Sequence, residues 1–141
     1  MFFATLYAPG GRAVLTIIEA EKIIDVNSLS WASIDYWLRE YQVKEIDKVK
    51  AQIRHETGNL TSRLCLQRNN LFGMHYPYKR QTTAIGKEKN RAAIYRSFRD
   101  SIKDYALWQE AYYQGGDYFY FLERHGYAED RYYIKKIKSC L

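Results

Sequence analysis

A helical repeat of apolar residues, beginning just after residue 30, is the feature that most constrains the fold. From Ser30 onward, apolar side chains recur every three or four positions, which predicts an amphipathic helix capped by Ser30. A second helix is predicted after Gln42-Val43, with Ile46, Val49 and Ile53 on one face. Two adjacent helices with apolar stripes must bury those stripes against each other or against further elements.

The same repeat returns in the last third of the chain. A helix is predicted to begin at Ser97 or Arg99 and to stop at Gly115-Gly116. A short aromatic helix capped by Asp117 follows, and a last helix begins at Glu129-Asp130. These segments predict a helical domain.

A small β element interrupts the helices. Two β-prone segments, Gln81–Ile85 and Ala92–Tyr95, flank the basic stretch Gly86–Asn90, which predicts a short hairpin. The fold class is therefore mainly α, with a helical lobe and a small β-hairpin insertion. Residues 30–141 are predicted to form this domain.

Residues 1–29 are predicted to form an N-terminal arm without an assigned role. The first dozen residues indicate a short strand closed by a turn at Pro9-Gly10-Gly11. Ala13–Ile24 fits a helix or a strand, and we favour the helix.

Positive charge is concentrated in the middle of the chain. Arg63–Lys103 holds ten basic and two acidic residues, so this segment has a charge of +8. The rest of the chain has a charge of −2, which gives the net charge of +6. Such a region indicates either an anionic partner or a solvated basic surface. The chain also holds 23 aromatic residues, 14 of them Tyr, which fits a partly polar core or a groove that stacks sugars or bases.

Several classes of protein are excluded by composition. No apolar run reaches about 18 residues, so no transmembrane segment is expected. Cys65 and Cys140 lack neighbours at zinc-ligand spacing, so we expect neither a metal site nor a disulfide framework. The apolar stretch Ala13–Ile24 contains Glu19, Glu21 and Lys22, so we expect no secretion signal and a protein that is made and left in a cytoplasm unless something else exports or packages it.

A carboxylate stands at the end of one buried stripe. Three positions beyond Ile53 the stripe reaches Glu56, just before the helix stop Gly58. This carboxyl group either reaches water or pairs with Arg54 or Arg63, or it remains desolvated with a raised pKa and serves as a functional acid.

Four segments together resemble one known family. Ala51–Ser62 resembles the A-Q-x-x-x-E-[ST]-G-x-x-x-S signature of the bacterial glucosaminidase domain, glycoside hydrolase family 73. Asn70–Gly73 resembles its N-L-F-G loop, Asp104–Ala106 its D-Y segment, and Gly126–Lys136 its closing G-Y-A-x-D-x-x-Y-x-x-K. The order and spacing agree over residues 30–141, and the compact versions of Bacteroidetes and their bacteriophages are the most similar.

The resemblance implies a lysozyme-like fold in which a helical lobe and a β-hairpin flank a cleft. It further implies cleavage of the β-1,4 bond after N-acetylglucosamine in peptidoglycan, without a cofactor, with Glu56 as the general acid. A muramidase specificity is the close variant. Tyr127 matches a family tyrosine that faces the cleft and bonds the acetamido group of the substrate. The residues expected to contact sugar are Asn70, Phe72, Gly73, His75 and Tyr76, although Phe72 could equally be a core anchor.

One position departs from the family pattern. Longer members carry a second carboxylate directly after the T-T of the hairpin, whereas Ala84 follows Thr82-Thr83 here. Glu88 at the hairpin tip could replace it, or the acetamido group of the substrate could act as the nucleophile, or the domain could be slow or inactive.

The partners expected from this reading are peptidoglycan glycan strands, together with phage virion or lysis proteins. A nucleic-acid partner is not expected, because it would leave the four ordered motifs unexplained. The alternative function is a non-catalytic or weakly active peptidoglycan-binding module of a phage particle. With either function, the protein would act on the cell wall after release, export or delivery in a virion.

Overall fold

The structure is a computed structural model that describes residues 23–127 and 129–141, together with the backbone of the strands among residues 2–22. Its described part is mainly α, as predicted. In chain order the elements are β1 Phe2–Tyr7, β2 Ala13–Glu19, β3 Lys22–Asp25, α1 Trp31–Glu40, α2 Ile46–Thr57, α3 Arg63–Arg68, β4 Gly86–Lys87, β5 Ala93–Ile94, α4 Phe98–Tyr112, α5 Tyr118–Arg124 and α6 Tyr133–Lys138.

The N-terminal strands form an antiparallel sheet in the order β1-β2-β3. Phe2 pairs with Ile18 across β1 and β2, and Ile17 pairs with Ile24 across β2 and β3. The helix favoured for Ala13–Ile24 is therefore wrong, because this segment is rich in β-branched residues that suit a strand once a partner strand is available. The division into an arm, 1–29, and a domain, 30–141, stays a prediction.

Helices α1 and α2 begin and end where the sequence predicts. The Ser30 side chain accepts from the Ser33 amide, and the Ser33 side chain accepts from the Ser30 amide in return. Gly58 ends α2 in the left-handed region at φ +55°. Val49 and Ile53, on the predicted apolar face of α2, are fully buried in the core with Ile34 and other side chains of α1.

The C-terminal helices follow the prediction with small shifts. Ser97, rather than Arg99, caps α4, and Asp117 caps α5 by accepting from the Tyr120 amide. Helix α6 begins at Tyr133, a few residues after the predicted start, because Asp130 uses its carboxylate to hold a turn through the Tyr132 amide.

The hairpin is smaller than predicted. Gly86 pairs with Ile94 and Lys87 with Ala93, and a single bridge joins His75 to Ala92. The expected first strand Gln81–Ile85 is wrong. The Thr82 hydroxyl accepts from the Ala84 amide within the segment, and the Thr83 hydroxyl donates to the Asp100 carbonyl in α4.

Two further expectations concern membranes and cysteines. Within the described residues, the helices are too short or too polar to cross a bilayer. Cys65 is buried, Cys140 is partly exposed, and both thiols are free.

Candidate functional site

Glu56 lies in the last turn of α2 with its carboxyl group largely removed from water. Its Oε1 accepts a hydrogen bond from the Tyr133 hydroxyl at 2.7 Å. Burial raises the pKa of Glu56 above its ordinary value of 4.5, and this outweighs the opposing effects of the Tyr133 hydrogen bond and of His55.

The arginines that could have paired with Glu56 bond elsewhere. Arg54 donates to the Cys140 carbonyl at 2.9 Å and lies over the Trp31 ring. Arg63 forms an ion pair with Glu88. Of the alternatives open from the sequence, the structure favours the desolvated acid over the ion pair.

The loop after α3 passes directly over Glu56 at Gly73. Gly73 has a φ of +62°, and a Cβ atom at this position would lie 2.8 Å from Glu56 Oε2. Both the backbone conformation and the space therefore require glycine here. Oε2 is the carboxyl oxygen beside Gly73, while Oε1 points to Tyr133.

Asn70 shapes the loop from inside. Its side chain is 1% exposed. It donates to the carbonyls of Met74 and Ala93 and accepts from the amides of Phe72 and Met74. A side chain with its hydrogen-bonding groups engaged in this way has no free group for a sugar, so Asn70 fixes the loop instead of lining a subsite.

Phe72 is a core anchor. It is fully buried and stacks on Tyr105 with a centroid distance of 4.0 Å and an interplanar angle of 17°. The Phe72 side chain is therefore a core residue and does not contact sugar as expected. Phe72 contributes to the candidate site through its carbonyl oxygen, which accepts from Tyr127.

An open cleft of about 490 Å³ lies in front of Gly73. It brings together four of the predicted residues: Gly73, His75, Tyr76 and Tyr127. Glu56 is not part of the lining itself, but its Oε2 lies beside Gly73, which lines the cleft. Tyr78, in a segment that the resemblance places around the cleft, also lines it. The lining residues that were not predicted include Lys79, Arg80, Arg91, Trp108 and Tyr112. None of the described residues that line this cleft is acidic.

Tyr127 belongs to an aromatic cluster at the cleft floor. Its ring stacks on Tyr133 at 5.7 Å and meets Trp108 edge-on at 5.2 Å. Its hydroxyl donates to the Phe72 carbonyl at 2.7 Å, and burial raises its pKa well above the usual range. The phenol therefore stays protonated, and its oxygen remains able to accept a hydrogen bond from a ligand.

Glu88 lies outside the cleft lining. Its carboxylate bonds Arg63 at 2.7 Å and Arg68 at 2.8 Å, and these bonds lower its pKa to about 2. The structure therefore does not bring Glu88 to the cleft beside Glu56, and its ion pairs tie the hairpin tip to α3. This geometry gives no support to the expectation that Glu88 replaces the missing carboxylate.

Sequence reasoning missed the role of Tyr133 and of a buried ion pair. Tyr133 is not among the predicted site residues, although the closing motif Gly126–Lys136 contains it. Arg80 donates to Asp104 at 2.7 Å at the cleft edge, and Tyr95 donates to the same carboxylate at 2.6 Å. Arg80 precedes the hairpin and Asp104 belongs to the D-Y segment. An arginine and an aspartate in these two segments were the signal from which the ion pair could have been predicted.

Within the described part of the chain, no three His, Cys, Asp or Glu side chains are grouped so as to hold a metal ion.

Three comparisons relate the chain to known proteins. The family model Glucosaminidase, described as mannosyl-glycoprotein endo-beta-N-acetylglucosaminidase, matches residues 32–141. A chain in the solved structure of a type VI secretion system effector-immunity complex from Pseudomonas protegens is similar in fold, with a TM-score of 0.58 and 22% identity over 77% of this chain and 84% of that chain. Among curated proteins, none matches. Because the family model covers well over half of the sequence, the chain belongs to the glucosaminidase family.

Proposed function

We propose that the protein is a peptidoglycan hydrolase that cleaves the β-1,4 glycosidic bond after N-acetylglucosamine, with Glu56 as the general acid. The observation that carries the proposal is the desolvated Glu56 carboxyl, with a raised pKa and with Oε2 beside Gly73, a residue that lines the cleft. A general acid must hold its proton near the working pH and lie within reach of the leaving oxygen. Membership of the glucosaminidase family supports the same reaction.

The absence of acidic side chains among the described cleft residues favours assistance by the substrate. In this route the acetamido carbonyl oxygen attacks C1 while the C1–O bond breaks, and Glu56 gives its proton to the leaving oxygen. The Glu56 carboxylate then takes a proton from the water that opens the resulting oxazoline ring. The Tyr127 oxygen, whose own proton is engaged by Phe72, accepts from the acetamido N–H.

Cationic side chains along the cleft suit a substrate whose peptide stems carry carboxylates. Lys79 and Arg91 line the cleft, and Lys87 and Arg91 lie over the Tyr78 ring at 4.9 and 5.3 Å. Lys79, Lys87 and Arg91 form no ion pair with a carboxylate among the described residues. They therefore remain available for anionic groups of a bound polymer.

The test is mass spectrometry of purified sacculi digested with the wild-type protein, after borohydride reduction of the new reducing ends. Reduced N-acetylglucosamine at those ends supports the proposal. Reduced N-acetylmuramic acid would reassign the specificity to a muramidase. Retention on sacculi without any new reducing end would leave the non-catalytic wall-binding module as the function.

A Gly73→Ala substitution is expected to lower hydrolysis about 100-fold, because the added methyl group occupies the space of Glu56 Oε2 and displaces the acid. The positive φ adds a stability loss of about 1–3 kcal/mol. Initial rates on sacculi and thermal melts measure the two effects separately.

Gly116→Ala is the matched control, since Gly116 has a φ of +85° and open space around its Cβ position. It should lose similar stability and keep its activity. Equal rates for Gly73→Ala and Gly116→Ala would contradict the placement of Glu56 Oε2 at the loop.

Glu88→Gln is expected to retain the wild-type rate within about twofold, because general-acid chemistry here does not use this carboxylate. In the wild type, the ion pairs of Glu88 lower its pKa from the ordinary value of 4.5 to about 2. They therefore stabilise the folded protein above about pH 4.5, and this stabilisation is lost as the pH falls through about 2. The melting temperatures of the variant and of the wild type should therefore converge as the pH approaches 2. A rate loss near that of Glu56→Gln would instead restore Glu88 as the second carboxylate.

We further propose that the protein is made in a bacterial cytoplasm and meets the wall after release, export or delivery in a virion. The fold likeness to a chain of a type VI effector-immunity complex is compatible with export by a dedicated machine. Expression with and without an added secretion signal tests this, since lysis only of cells with the exported form supports the proposal.

A further inference from the structure

A chain of buried polar groups leads from Gln109, which contacts the Lys44 backbone, to Glu56. Its members lie on four different helices or their flanks, and each is at most 5% exposed. They are, in order, Gln109, Tyr118, Tyr105, Gln52 and Tyr133. The described side chains include no buried nitrogen or oxygen without a partner, so this chain is fully connected.

The backbone of Lys44 fixes the orientation of the first member. The Gln109 Oε1 accepts from the Lys44 amide at 2.7 Å, and Gln109 Nε2 donates to the Lys44 carbonyl at 3.0 Å. An amide donor and a carbonyl acceptor allow only one placement of the side-chain oxygen and nitrogen. The second Nε2 hydrogen of Gln109 therefore points to the Tyr118 hydroxyl, 2.8 Å away.

Each following hydrogen bond then has only one direction. Because Gln109 donates to Tyr118, the Tyr118 proton goes to Tyr105, and the Tyr105 proton goes to Gln52 Oε1. Gln52 must then present Nε2 to the Tyr133 oxygen, at 3.3 Å. The Tyr133 proton is left for Glu56 Oε1, at 2.7 Å. A reversed chain would leave the Tyr118 proton facing the Nε2 donor of Gln109.

We propose that this chain fixes which oxygen of Glu56 holds the transferable proton. Oε1 is held as an acceptor by Tyr133, so the acidic proton resides on Oε2, the oxygen beside Gly73 and the cleft. Tyr133 and Gln52 are thus positioning residues for the acid, and the inference rests on the proposed function only for its catalytic consequence.

The same chain limits how far burial can raise the pKa of Glu56. Tyr133 donates to the ionised form of Glu56 and stabilises it, in opposition to burial. The other titratable groups that act on Glu56 are His55, its neighbour in α2, and the Tyr127 phenol. Both stay in place when the chain is altered at Tyr133 or Gln52.

The test is a carboxyl ¹³C NMR titration of the full-length protein labelled at glutamate, with Glu56 assigned by its missing signal in Glu56→Gln. Tyr133→Phe removes the donor to Oε1 and is expected to weaken the acid by about tenfold or more in its dissociation constant, as for other hydrogen bonds to a charged group. Gln52→Met lets the neutral acid donate to Tyr133 instead and should weaken it by less. It also provides the measurement if Tyr133→Phe does not fold.

Tyr118→Phe is the matched control. It removes a buried phenol oxygen from the same network. The Tyr105 proton still needs Gln52 Oε1 as its acceptor, so Gln52 keeps its orientation. The pKa of Glu56 should then stay within about 0.3 of the wild-type value, since the bond from Tyr133 is preserved. An unchanged pKa in Tyr133→Phe, or an equal rise in Tyr118→Phe, would overturn the inference.

The titration needs no turnover, so it separates the two proposals. The expected order is a large rise in the pKa of Glu56 in Tyr133→Phe, a smaller rise in Gln52→Met and none in Tyr118→Phe. If the protein shows this order but releases no sugar, only the hydrolase function is refuted. Hydrolysis that depends on Glu56 without that order would refute the positioning chain alone. In an active protein, the alkaline limb of kcat/KM should move to higher pH in Tyr133→Phe, together with a lower kcat.

Discussion

Glu56→Gln is expected to lower the rate of hydrolysis of sacculi by about 10²- to 10⁴-fold, the usual contribution of a positioned general acid. Glutamine matches the side chain in size but has no acidic proton to give to the leaving oxygen. It can still accept from Tyr133 through its carbonyl oxygen, so the surroundings of residue 56 need not change. Release of reducing ends measures the rate.

The same variant should be more stable than the wild type at neutral pH. The folded protein raises the pKa of Glu56 above its ordinary value of 4.5, so the unfolded chain ionises more readily and folding loses free energy as the pH rises through the raised pKa. Below about pH 4.5 both states hold the proton and this difference disappears. Thermal melts of both proteins between pH 4 and 8 should therefore diverge as the pH increases.

Glu123→Gln is the control for the loss of a carboxylate, since Glu123 is exposed in α5. It should keep the wild-type rate and show no comparable divergence of the melts. Equal rates for Glu56→Gln and the wild type would remove Glu56 from the mechanism. A loss of rate together with a loss of stability would indicate damage to the fold instead.

Arg80→Met is expected to give the largest loss of stability, about 3–5 kcal/mol. Asp104 is fully buried, and Arg80 neutralises it with two hydrogen bonds at 2.7 and 3.2 Å. Without Arg80 the carboxylate keeps only the bond from Tyr95 and becomes an uncompensated charge in the interior. Urea unfolding measures the loss, which corresponds to a melting temperature lower by about 10 °C.

Arg80→Met combined with Asp104→Asn should recover most of that loss. Asparagine removes the buried charge and can still accept from Tyr95, so the remaining cost is that of a neutral polar group with a partner. Additive effects of the two substitutions would show that Arg80 stabilises the protein through something other than Asp104.

The helices of the domain were predictable because their signals are local. Ser30, Ser97 and Asp117 each cap the helix that follows, and Gly58 ends α2, as the sequence indicates. Strands depend on partners elsewhere in the chain. The segment Ala13–Ile24 becomes β2 and most of β3 only because β1 lies beside it, which no local periodicity reveals.

Single residues of the candidate site were predictable from the sequence, but the hydrogen bonds between them were not. The end of the apolar stripe of α2 marks Glu56, and the family resemblance marks Gly73 and Tyr127. The sequence could not show that Asn70 turns inward, since that depends on the carbonyls of Met74 and Ala93 meeting at one point. It also could not show that Tyr133 bonds Glu56, a contact across 77 positions of sequence.

That long separation has a consequence for the order in which the protein matures. Glu56 emerges early during synthesis, but the bond from Tyr133 and the contact of Tyr127 with Phe72 form only after nearly the whole chain is available. Closing loops of this length comes late in folding, after local helices have formed. A nascent or clipped chain that lacks helix α6 therefore has Glu56 without the hydrogen bond from Tyr133.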